Sequence, residues 1–116
     1  MIDDAGRMSR RDATADRLVR LRDEASRFVD AVLDGSGATS VEARRAAFAG
    51  RADDPAVVRY LGVVRKHAYR VTDEEVDRLR KTGLDDDAVF ELTVAAALGA
   101  AVARLRAGLS LLGREP

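Results

Sequence analysis

The sequence predicts an all-α fold: a single-domain bundle of about five helices with a long C-terminal one. Three observations carry that prediction. Apolar residues recur at intervals of three and four, with no segment of convincing two-residue alternation. Helix start signals, hydroxyl or carboxylate caps followed by acidic residues, stand ahead of these apolar runs. Glycines fall where the runs stop, and the whole chain holds only two prolines.

The first helix is expected over about Ala13 to Asp34. Its apolar stripe is Leu18, Leu21, Ala25, Phe28 and Val32; Arg17, Arg20, Asp23, Glu24, Arg27 and Asp30 form a solvated opposite face. Residues 1–12 are expected to be poorly anchored, and residues 13–116 to form the helical domain. Gly35-Ser36-Gly37 ends the first helix and is the one linker-like stretch. A short second helix starts near Thr39 or Ser40, where Thr39 and Glu42 have capping-box spacing. Val41, Ala46, Ala47 and Phe48 give its apolar side, and Gly50 suits a left-handed stop.

Pro55 fits the first turn of a third helix that runs to about Tyr69, with Val57, Leu61, Val64 and Ala68 on its buried face. The fourth helix has the clearest signals. Thr72 pairs with Glu75 as a capping box, Val71 and Val76 occupy staple positions, and Asp73 and Glu74 sit at the positive end of the helix dipole. Gly83 stops it, and Asp85 caps the fifth helix. That last helix runs to about Leu112, on the order of 40 Å long. Phe90, Val94, Ala97, Leu98, Ala101, Leu105 and Leu109 are among its apolar positions. Ala95, Gly99, Ala103 and Ala107 make a second row of small residues, which serves either as a subunit contact or as packing within the chain.

Composition removes whole classes of function. The 116 residues include 20 basic and 20 acidic side chains, one histidine and no cysteine. Without cysteine there are no disulfides, zinc–thiolate sites, iron–sulfur clusters or thiol redox cycles. A formal net charge of zero supplies no field to gather nucleic acid or an anionic membrane. Met1 to Arg7 lacks the apolar stretch of a secretory signal. The most apolar window, Leu92 to Ala103, is shorter than the roughly 20 residues of a membrane span. A cytoplasmic protein with no nucleic-acid or membrane partner is the expectation.

Chemistry-bearing patterns are sparse. Gly35-Ser36-Gly37 lacks the lysine and hydroxyl that follow in a phosphate-binding loop. The Gly83 turn invites comparison with a helix-turn-helix, but Asp85, Asp86, Asp87 and Glu91 would repel phosphates there. The same aspartates lack the spaced loop ligands of a calcium site, and helix capping accounts for them. No serine stands on a strand-to-helix elbow or beside a histidine. No cofactor or metal site is expected.

Four residues are candidates for a catalytic role: Glu91, His67, Tyr69 and Arg104. Glu91 is the only charge between Ala88 and Ala103. Burial there would raise its pKa and suit it to relaying protons. The plainer alternative is an acid of the first turns that answers the helix dipole and reaches solvent or an arginine. His67 lies among Arg65, Lys66 and Arg70, cations that leave an imidazole without an orienting partner.

Residues 66–112 resemble the alkylhydroperoxidase D-like (carboxymuconolactone decarboxylase-like) superfamily. The resemblance rests on His67-Ala68-Tyr69-Arg70-Val71-Thr72-Asp73-Glu74-Glu75-Val76, Gly83-Leu84-Asp85, and Phe90-Glu91-Leu92-Thr93-Val94-Ala95-Ala96-Ala97. It covers about forty per cent of the chain and consists of capping and packing patterns. Redox members of that family carry Glu, then Cys-x-x-Cys, then a histidine. In one register Glu91 matches the family glutamate, while Ala103 and Arg106 stand at the cysteine positions and Ser110 at the histidine. In a second register this helix matches the family's terminal helix, and Glu91 loses that meaning. The resemblance implies an all-α homo-oligomer, and the absent thiols remove peroxidase and disulfide-exchange chemistry in either register.

Two functional expectations follow. The first is a non-catalytic helical domain of this type, acting by self-association or by binding a protein partner. Ala95, Gly99, Ala103 and Ala107 are its candidate interface. The second is a cofactor-independent acid–base enzyme, a decarboxylase or isomerase acting on a small carboxylate. Glu91 would relay the proton, Arg104 or Arg65 would bind the anion, and His67 or Tyr69 would assist. That second expectation requires Glu91 to line a pocket shared with a basic side chain.

Overall fold

The computed structural model describes residues 9–112. They form an all-α bundle of five α-helices: α1 (Arg10–Asp34), α2 (Val41–Phe48), α3 (Pro55–His67), α4 (Asp73–Lys81) and α5 (Asp86–Leu112). A single turn of 3₁₀-helix, Ala68–Arg70, links α3 to α4.

The helix ends follow the capping chemistry. Ser9 caps α1, accepting from the Asp12 amide, so the helix begins at Arg10 rather than near Ala13. Residues 10–12, expected to be loose, are therefore helical, and the expectation for the remainder of 1–12 falls largely outside the described residues. At α2 the cap is Ser40, whose hydroxyl accepts from the Ala43 amide at 3.0 Å. Thr39 has a different task, described below. Asp54 caps α3 with Pro55 in the first turn. Thr72 caps α4 through the Glu75 amide, and Asp85 caps α5 through the Ala88 amide at 2.8 Å. Gly50 and Gly83 hold φ values of 78° and 98°, the left-handed stops that side-chain-bearing residues avoid.

The core gathers Leu33 from α1, Ala47 from α2, Val57, Tyr60, Leu61 and Val64 from α3, Leu79 from α4, and Val89, Leu92, Ala95 and Ala96 from α5. Leu61 is fully buried at the centre. Tyr60, absent from the expected face of α3, is buried because its hydroxyl finds Thr93 of α5 at 2.7 Å. Ala68, expected on that face, is exposed, since α3 ends at His67.

Two apolar stripes are rotated relative to the sequence expectation. On α1, Leu33 is buried and Ala25 and Val29 are half-buried, whereas Leu21 and Phe28 are 58% and 60% exposed. On α5 the buried positions are Ala88, Val89, Leu92, Ala95, Ala96, Gly99 and Ala100. Of the other expected apolar positions, Phe90, Ala97, Ala101 and Leu105 face outward instead, and Val94, Leu98 and Leu109 are half-buried. Small residues on α2 (Ala43, Ala47) and on α5 (Ala95, Gly99) let the two backbones come close, and that contact orients the rest of α5.

Beyond α2 the first and last helices continue as a two-helix arm. They run antiparallel, so that Arg22 of α1 lies beside Leu109 and Ser110 of α5. An open cleft of about 180 Å³ between them is lined by Ala25, Val29, Leu33, Val102, Leu105 and Leu109 among others.

Candidate functional site

Glu91 projects from the second turn of α5 onto the loop that joins α1 to α2. Its Oε2 accepts from the Ala38 amide at 2.7 Å. Its Oε1 accepts from the Thr39 amide at 3.2 Å and the Thr39 hydroxyl at 2.9 Å. The Arg44 guanidinium stands 4.0 Å away. Gly37 is needed at this point, because a Cβ there would run into the Glu91 carboxylate.

Arg44, only 5% exposed, is the other half of this clamp. It donates to the carbonyls of Val32 at 3.3 Å, Thr39 at 3.4 Å and Ser40 at 3.4 Å. The loop thus has its amides held by a carboxylate from α5 and its carbonyls by a guanidinium from α2. The Val32 carbonyl lies in the last turn of α1, where intrahelical partners run out, and the Ser40 carbonyl also accepts from the Arg44 amide at 3.1 Å. Sequence reasoning passed over Arg44. The signal available was a loop rich in orphan carbonyls, followed by an arginine on the same helical row as buried Ala47.

The electrostatics of Glu91 run opposite to the expectation of a neutral, proton-relaying acid. Burial pushes its pKa up, but the Ala38 and Thr39 amides, the Thr39 hydroxyl and the Arg44 charge outweigh that, and the net shift is downward. Of the plainer alternative, the arginine is present, Arg44 at 4.0 Å. The carboxylate is an ionised acceptor committed to the α1–α2 loop.

The other three candidates lie elsewhere. Arg104 donates to the Arg65 carbonyl at 2.8 Å near the end of α3. Thirteen residues along α5, about 20 Å, separate it from Glu91. His67 and Tyr69 pack edge-to-face with ring centroids 5.8 Å apart. The Arg70 guanidinium lies 5.6 Å from the centre of the Tyr69 ring, which is 79% exposed. None of the clefts described among these residues is lined by Glu91, Arg104, His67 or Tyr69. Open clefts of about 250 Å³ between α3 and α4, about 390 Å³ beside α2 and about 560 Å³ at the α4–α5 turn are lined by other side chains. Among the described residues no group of three or more His, Asp or Glu side chains is placed to hold a metal ion.

The small-residue row divides. Ala95 and Gly99 are buried within the chain; a Cβ on Gly99 would strike the Phe48 carbonyl and the Arg65 guanidinium, which itself donates to that carbonyl. Ala103 and Ala107 remain exposed on the arm. For half of the row, packing inside the subunit is the outcome.

The outward surface of α5 is more apolar than the sequence reading allowed for. Phe90 is 68% exposed, Ala97 and Ala101 are exposed, and Val94 is half-buried. By length and composition α5 reaches what a membrane span needs, with a mean hydropathy of 1.7 over its best 18 residues, of which 39% are buried in the bundle. Buried core helices meet the same criteria.

No family model matches the chain, and comparisons with curated proteins and with solved structures find no match.

Proposed function

We propose that this chain is a non-catalytic helical domain of the alkylhydroperoxidase D-like type, acting by self-association or partner binding and without thiol redox chemistry. The observation that carries this reading is apolar surface left open on α1 and α5. Leu21, Phe28, Phe90, Leu111 and Leu112 are each more than half exposed in the single chain. Scattered apolar side chains are ordinary on protein surfaces, but large ones concentrated on two helices favour a contact surface. The commitment of Glu91 to a loop further favours binding over acid–base catalysis, since an enzyme gathers polar groups around a cavity.

In this reading the protein works in the cytoplasm, with α5 serving as the spine of the bundle. Light scattering or sedimentation of the full chain over a micromolar concentration series tests it. A mass above that of one 12.5 kDa chain, rising with concentration, is expected. A single-chain mass throughout, with no partner bound, would remove its support.

A further inference from the structure

The exposed face of α5 has a symmetry that names its occupant. Asp87, Phe90, Val94, Ala97, Ala101 and Arg104 follow one another at intervals of three, four, three, four and three residues. That is the spacing of a coiled-coil seam. The interval series reads the same in both directions. A two-fold axis passing beside α5, level with the midpoint between Ala95 and Ala96, therefore carries each position onto another member of the set on the second copy. Phe90 falls opposite the partner's Ala101, and Val94 opposite the partner's Ala97: large against small at every apolar layer. At both ends Asp87 falls opposite the partner's Arg104.

The charges are available for this. Among the described residues Asp87 is exposed and has no ion pair, and Arg104 is exposed and donates to the Arg65 carbonyl with no carboxylate beside it. Asp86, the neighbouring acid, is already bound to Arg80 at 2.7 Å. The one other charge on this stretch, Glu91, points away into the loop clamp. The face is thus apolar along its centre and carries one unsatisfied charge of each sign at its ends. Antiparallel pairing matches those charges; parallel pairing would set like against like.

We propose that α5 packs antiparallel against the α5 of a second copy of this chain, in the register that sets Asp87 against Arg104 and Phe90 against Ala101. The inference rests on the self-association reading above and gives it a surface, an orientation and a register. The seam is one helix wide and about 26 Å long, a smaller contact than the standard interface of about 800 Å² per partner. The dimer is accordingly reversible, with a Kd on the order of 10 μM, which a micromolar concentration series crosses.

Sedimentation velocity of the full chain and of charge variants tests this. Asp87→Arg and Arg104→Asp should each weaken dimerisation about tenfold, and the double variant should recover most of the loss. Circular dichroism of each variant separates this from altered folding, because intrachain defects would add in the double variant rather than cancel. A second measurement uses the absence of native cysteine. Val94→Cys and Ala97→Cys chains, mixed under mild oxidation, should form the mixed disulfide in preference to either homodimeric one.

A dimer in which the charge exchange gives no recovery and the mixed disulfide does not form would overturn this register while leaving self-association standing. A chain monomeric at every concentration would overturn both. A monomer that floats with phosphatidylcholine vesicles would assign the face to lipid and likewise overturn the dimer.

Discussion

A carboxylate set among apolar neighbours can become either a neutral acid or a well-solvated acceptor, and the groups that reach it decide. At Glu91 two backbone amides, a hydroxyl and a nearby guanidinium reach it, so the charged form is favoured in the folded state. The sign of the linkage follows. Because its pKa is lower in the folded chain than the usual 4.5, Glu91 contributes stability that is fully present above that value. The contribution is lost as pH falls through the folded value. Glu91→Gln should therefore lower stability at neutral pH by about 1–3 kcal/mol, since the amide sets a donor against the Ala38 and Thr39 donors. It should also flatten the acid side of the pH–stability curve, read by urea titrations between pH 3 and pH 7. An unchanged acid limb would show that the clamp carries no charge dependence.

That Glu91 is special was legible from its isolation in an apolar run. What it does was not, because its partners Ala38 and Thr39 lie more than fifty positions away in sequence and show only generic loop character. Arg44 was hidden for a related reason. An arginine in a short helix looks like solvated surface until the loop carbonyls that surround it are in place.

Among the elements, α5 is the one whose neighbours matter most. Its small positions let α2 approach until the Phe48 carbonyl occupies the space where a side chain on Gly99 would begin. Gly99→Ala is expected to destabilise the fold by about 1–3 kcal/mol or more, as overpacking at a closed contact does. Ala103→Leu, four residues along the same row but exposed on the arm, should change stability by no more than about 0.5 kcal/mol. Thermal unfolding of the two variants separates the halves of the row; equal effects would contradict the division. The helices and most of their ends were readable from caps and glycines, which act over one turn. Which face of α1 and α5 turned inward was not readable. Both helices are apolar over a wide arc, and the choice was settled by the close α2–α5 contact.

For the whole molecule the decisive property is shape. The chain measures 66 × 30 × 20 Å with a radius of gyration of 18.8 Å, against about 13 Å for a compact domain of this length. The excess comes from the α1–α5 arm, which extends past the three short helices. Small-angle scattering at low concentration should return a radius of gyration near 18.8 Å for the single chain. A value near the compact figure would mean that the arm folds back onto the bundle. An elongated particle covers less of its apolar surface than a sphere does. The open faces of α1 and α5 follow from that geometry.

Legible along the chain were the helical class, the order of the five helices, most of their caps and stops, and the exclusion of thiol chemistry. Those properties depend on residue chemistry and on interactions within one turn of the chain. It took the packing of the helices to make Glu91 a loop clamp, to turn Ala95 and Gly99 inside and to leave Phe90, Ala97 and Ala101 facing out. These depend on how helices far apart in sequence meet, and a helix apolar on several sides is compatible with more than one such meeting until the closest contact fixes its rotation.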